Sequence, residues 1–150
     1  MLDRDAIAKL LPHAGRMCLL DRVLHWDERS IRCAAVSHRD ADHPLRGATG
    51  LATLAGIEYA AQAAALHGAL SQGATTPRSG VLAALKNVTV TQPWLHHASA
   101  QIVIEVNLLH SDPAGGIFAF AVIDGAKRIL SGQCTLMYLD TTNDQPKLPT

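Results

Sequence analysis

A chain of 150 residues, 48% hydrophobic and 17% charged, is long enough to form one domain with a full core, without disulfides or a structural metal. Its formal net charge of zero gives no basic surface for broad capture of nucleic acid or of a membrane. Cys18, Cys33 and Cys134 stand far apart with no CxxC pair, which suits a reducing cytoplasm better than a disulfide framework.

Residues 3–11 put Ile7, Leu10 and Leu11 at helical spacing and end at Pro12, predicting a short amphipathic helix. Asp3, Arg4, Asp5 and Lys9 interrupt this stretch, so it is not read as a secretion signal, and no window of the chain is apolar for long enough to insert in a membrane. Residues 18–26 read as extended, 27–30 as a turn and 31–37 as a strand. Residues 38–50, with Pro44, Gly47 and Gly50, read as an irregular loop. Residues 50–70 hold no proline and abound in Ala and Leu, which predicts one long helix. Apolar residues fall on every side of that helix, so it is expected to be buried all round. Four strands are predicted at 81–90, 100–109, 116–124 and 128–139, divided by Gln92-Pro93, Asp112-Pro113 with Gly115-Gly116, and Asp124-Gly125. Residues 1–140 are expected to form the single domain and 141–150 a flexible tail.

Only the sheet can cover so apolar a helix. The expected fold class is therefore α+β, a hotdog fold in which a curved antiparallel sheet wraps a long central helix. The apolar excess in so short a chain predicts a dimer that shares strand edges.

Among residues that could carry chemistry, Glu58 comes first. A carboxylate on a helix buried all round is costly when ionised and unpaired, so its surroundings should favour the protonated form that a general acid needs. The alternative is a packing role, with Glu58 hydrogen-bonded to Gln62 or to a backbone loop. His38 and His43 lie in the loop before the helix, where a neutral imidazole could act as a base. His25, His96, His97 and His110 are assigned no role. No HExxH or Cys/His array predicts a metal, no GxGxxG or GxxxxGK[ST] a phosphate cradle, and no GxSxG a serine nucleophile. Acid–base chemistry without a cofactor remains.

Leu11-Pro12-His13, then Leu19-Leu20-Asp21-Arg22-Val23, resembles the opening motif of the 3-hydroxyacyl-ACP dehydratases. Glu58-Tyr59-Ala60-Ala61-Gln62-Ala63 resembles the Glu-x-x-Ala-Gln-Ala run of their central helix. Pro12-His13-Ala14-Gly15-Arg16-Met17, Ser37-His38-Arg39 and Pro44-Leu45-Arg46 are similar to a narrower group, the dehydratase-like subunit of aryl-polyene pigment clusters.

The resemblance implies dehydration of a 3-hydroxyacyl thioester, carried by acyl-carrier protein, to the trans-2-enoyl thioester. It implies a dimer, with itself or with a related dehydratase, whose sites combine a loop His and a helix Glu from opposite subunits. Glu58 would be the acid and His43, or else His38, the base. Gln62, Gly50 and Gly80 would bind substrate, with backbone N–H groups near Gly50 and Ser79-Gly80 polarising the thioester carbonyl. His43-Pro44-Leu45 stands where the family has His-Phe-Pro, and Thr49-Gly50 where it has Pro-Gly. These departures keep open a catalytically degenerate subunit paired with an active one. A hotdog acyl-thioesterase, with Glu58 activating water, is the third reading.

Overall fold

The computed structural model describes residues 2–11, 17–73 and 80–139. Helix α1 (Arg4–Leu10) starts where the Asp3 carboxylate accepts the Ala6 N–H at 3.0 Å, and it buries Ile7. Asp5 in its first turn and Lys9 in its last suit the helix dipole. Six strands follow: β1 (Arg22–Trp26), β2 (Ser30–Ala35), β3 (Gly80–Val90), β4 (Ile102–Asp112), β5 (Gly115–Asp124) and β6 (Lys127–Tyr138). They form one antiparallel sheet in the order β1-β2-β4-β5-β6-β3.

The central helix, α2 (Gly56–Ser71), lies on β2, β4, β5 and β6. Strand alternation makes the core between them: Ile102, Ile104 and Val106 of β4 and Phe118, Phe120 and Val122 of β5 meet Tyr59, Ala60, Ala63 and Leu66. This is a hotdog fold, with its sheet wrapped about one helix.

Two expectations need correction. The helix starts at Gly56, not at residue 50. Ala52 pairs in a bridge with Trp94, Thr53 N–H donates to the Pro93 carbonyl, and Thr53–Ala55 form a single turn of 3₁₀ helix. Those contacts hold residues 51–55 extended or tightly wound, whatever their helix propensity. Nor is α2 buried on all sides: Leu54 just before it is 53% exposed, Glu58 is exposed, and Ile57, Ala61, Ala65 and Gly68 are half-buried. The reason is the strand order. β3 lies at the sheet's edge, where it does not close over the helix, so one stripe of α2 is only partly covered by its own chain.

The predicted tail at 141–150 and the Pro12–Arg16 part of the opening motif lie outside the described residues. No described helix is long and apolar enough to cross a membrane.

Candidate functional site

Glu58 occupies the first turn of α2, on the partly covered stripe. Among the described residues its carboxylate has no hydrogen-bond or ion-pair partner. The bond to Gln62 that the packing alternative required is not formed, since the Gln62 amide is engaged by Leu19 and Met17. At its far end the stripe reaches Gly68, where an added Cβ would collide with the Tyr138 hydroxyl of β6. The stripe therefore runs along the flank of α2 nearest β6 and β3.

The inner face of β3 lies beside that flank. Leu82, Leu85 and Val90 stand opposite Leu136, Cys134 and Leu130 of β6, which are buried, so all three point to the helix side of the sheet. Leu85 and Val90 nevertheless remain 43% and 41% exposed. Val90 stands opposite Leu130, which packs at Gly56, so this open apolar trough starts at the end of α2 that carries Glu58, and β3 is exposed along almost its whole length.

Gln62 is engaged within its own chain. Its Oε1 accepts the Leu19 N–H at 2.9 Å and its Nε2 donates to the Met17 carbonyl at 2.5 Å. The side chain clips the buried segment before β1 to the helix and has both its polar ends engaged.

His43 is buried in a directed chain of hydrogen bonds. Its Nδ1 accepts the Leu45 N–H at 3.0 Å, so Nδ1 is unprotonated and Nε2 carries the hydrogen. Nε2 then donates to the Tyr59 hydroxyl at 2.8 Å, the hydroxyl donates to Ser37 Oγ at 2.7 Å, and Ser37 donates to the Leu19 carbonyl at 2.8 Å. The His43 and Tyr59 rings also stack, 5.9 Å apart. Burial raises Tyr59 well above the usual phenol range, so it stays a neutral link.

His38 follows β2 in one turn of 3₁₀ helix and is fully buried. Its Nε2 donates to the Ser99 carbonyl at 2.6 Å, which leaves Nδ1 as a buried lone pair with no partner. Burial pushes this imidazole below its ordinary range, partly offset by the Ser99 carbonyl. The structure therefore gathers His43, Tyr59 and Ser37 into one network and leaves Glu58 outside it.

The Gly50 N–H is already donated to the Gly47 carbonyl at 3.2 Å, and Gly50 adopts φ +127°, where an added Cβ would collide with the His96 ring. Gly80 pairs with Tyr138, which lies by Gly68, about 15 Å along the helix axis from Glu58 at the usual rise per residue. Ser79 lies outside the described residues.

Tyr59, Ser37 and His96 were missed as positioning groups. His96 Nδ1 accepts the Leu51 N–H at 3.0 Å and so ties residues 50–51 to the turn after β3. The only signal for Tyr59 and Ser37 was their place inside the Glu58-Tyr59 and Ser37-His38-Arg39 motifs. A separate polar cavity of about 220 Å³, lined by Glu28, His67, Asp112, Phe118 and Tyr138 among others, lies at the opposite end of α2 from Glu58.

Comparison with known proteins gives a consistent picture. A chain of the dehydratase heterocomplex ApeI:P from Xenorhabdus doucetiae superposes with a TM-score of 0.80 at 23% identity, over 95% of this chain and 94% of that one. A thioesterase from Haemophilus influenzae gives 0.64 at 12% identity, over 93% and 92%. Zebra fish thioesterase superfamily member 2 gives 0.61 at 14% identity, over 93% and 100%. No curated protein sequence matches the chain. At these identities the structural likenesses establish the hotdog fold and no more. The family is settled by sequence: the ApeP dehydratase model matches residues 5–145, and the chain belongs to the ApeP-like dehydratase family.

Proposed function

We propose that this chain is one subunit of a two-chain dehydratase that removes water from 3-hydroxyacyl thioesters borne on acyl-carrier protein, with Glu58 as the general acid. The observation that carries this reading is the position of Glu58, a carboxylate without a partner among the described residues, at the end of an apolar trough that its own chain leaves open. A catalytic acid needs access to substrate and a dry surround, and a second hotdog subunit laid along β3 would supply the second without closing off the first. The match to a chain of a dehydratase heterocomplex supports a related dehydratase as that second subunit. Pairing edge to edge would also satisfy the free backbone groups of β3.

Covered in this way, the carboxylate loses water and its protonated form is favoured. In the reaction a base takes a proton from C2 of the acyl chain while Glu58 gives its proton to the hydroxyl on C3. The C3–O bond breaks, a C2–C3 double bond forms and water leaves. The proton taken by the base then returns to Glu58 through solvent, and the cycle closes with no cofactor.

The test is direct. The chain is purified alone and together with a related dehydratase subunit, and each sample is given a 3-hydroxyacyl carrier protein. Mass spectrometry of the carrier should show loss of one water with the pair. Glu58→Gln should slow this by about a hundredfold or more, the usual worth of a positioned acid. Release of free acid and unloaded carrier would instead make the chain a thioesterase, and an unchanged carrier would end the catalytic reading.

A further inference from the structure

We propose that this chain brings an acid but no base to the paired enzyme, so that only the site containing Glu58 works. The base of that site then comes from the partner subunit, and the mirror site, to which this chain would bring a histidine, is silent. This rests on the dehydratase reading above.

A base must present a nitrogen lone pair that can be aimed at a substrate C–H bond. The His43 lone pair on Nδ1 is aimed at the Leu45 N–H, 3.0 Å away and in the same loop. Its other nitrogen carries the hydrogen that it donates to Tyr59. Turning the ring over does not help, because Leu45 N–H can only donate and the lone pair facing it would be lost. Freeing Nε2 breaks a buried chain that continues through Ser37 to the Leu19 carbonyl and strands polar groups away from water, while freeing Nδ1 costs the half-buried Leu45 N–H its acceptor.

His38 does hold a free lone pair, yet its ring is wholly covered by its own chain. The Ser99 carbonyl fixes the ring by its other nitrogen. The loop between these histidines and α2 is pinned as well, by the reciprocal bonds of Gly47 and Gly50 and by the Leu51 N–H on His96. Acid and histidines thus differ sharply in this one chain. Among the described residues Glu58 is open and unpaired, while both loop histidines are enclosed and bonded.

The experiment uses the assembled pair, with substitutions placed in one subunit at a time. In this chain, His43→Gln (whose amide can still donate to Tyr59) and His38→Asn (whose amide can still donate to Ser99) should each leave kcat/KM within about twofold. The acid limb of the pH–rate profile, which reports the base, should stay in place for both. Glu58→Gln should cost about a hundredfold or more. In the partner the pattern should invert, with its loop histidine essential and its helix carboxylate dispensable.

Melting temperature and co-elution are recorded for every pair. Tyr59→Phe, which removes the acceptor of His43 without altering size, serves if His43→Gln fails to assemble, and it too should leave the pH–rate profile unmoved. A hundredfold loss in an assembled, normally melting His43 or His38 pair overturns the inference, as does a shifted acid limb in Tyr59→Phe. If the wild-type pair dehydrates nothing, the dehydratase reading itself falls and takes this inference with it.

Discussion

Gln62 shows how a residue in a functional motif can be spent on architecture. It sits one turn beyond Glu58, but its amide holds Met17 and Leu19 rather than a ligand. Gln62→Leu keeps the volume and strands a buried N–H and a carbonyl, so it should cost about 1–3 kcal/mol of stability. Urea unfolding at an unchanged m-value would show this, and an unchanged midpoint would free Gln62 for a role at the site. His38 permits a second prediction. Burial lowers its proton affinity in the folded chain, so below about pH 6.5 the unfolded chain takes up a proton that the folded one refuses. The stabilising effect of keeping His38 neutral is complete above the unfolded value and is lost as pH falls through it toward the folded value. Melting temperature should therefore drop from pH 7 toward about pH 5, and His38→Asn should flatten that slope. An equal slope in the variant would assign the acid sensitivity to other groups.

At the scale of elements, α2 is held by what its smallest residue allows. An added Cβ on Gly56 would meet Leu130 Cδ2 at 2.7 Å and Val122 Cγ2 at 3.1 Å. Gly56→Ala gains up to about 1 kcal/mol of helix propensity, but crowding at this contact should outweigh it, for a net loss of about 1–2 kcal/mol. A variant that melts higher than wild type would show that the β5–β6 surface yields. The strands were legible because turn residues and alternation are local: β3 to β6 fall within three residues of the expected limits at every end. The start of α2 was not legible, since residues 51–55 have a helix former's composition and are diverted by partners near residue 94. The position of Glu58 could be read from its motif, but its exposure could not, because that follows from β3 closing the sheet at the edge. The enclosure of His43 depends on Tyr59, sixteen residues away, and no spacing in the loop announces it.

For the whole molecule the unequal cover of the sheet is decisive. One end of the strand order, β1-β2, is braced by α1 and the clipped segment before β1, whereas β3 carries Val81, Leu85, Val88 and Val90 exposed between 37% and 44%. Burying one such side chain fully is worth about 1.5–3 kcal/mol, so several together can hold a second subunit against the entropy of association. The chain is thus expected to be at least dimeric at micromolar concentration, with itself when alone and with a related subunit when one is supplied. Leu85→Lys with Val90→Lys puts two ammonium groups in the trough and leaves the β3–β6 backbone pairing intact. Light scattering should then report a monomer with native-like circular dichroism, where the wild type reports a pair. Activity should follow assembly: at a fixed amount of this chain, dehydration should rise with added partner and level off at one to one. The charged variant should stay inactive over the same range. A wild-type chain that remains monomeric both alone and with the partner would remove β3 as an interface. A charged variant that pairs as tightly as wild type would move the interface to another face, and Glu58 would then have to find its cover elsewhere.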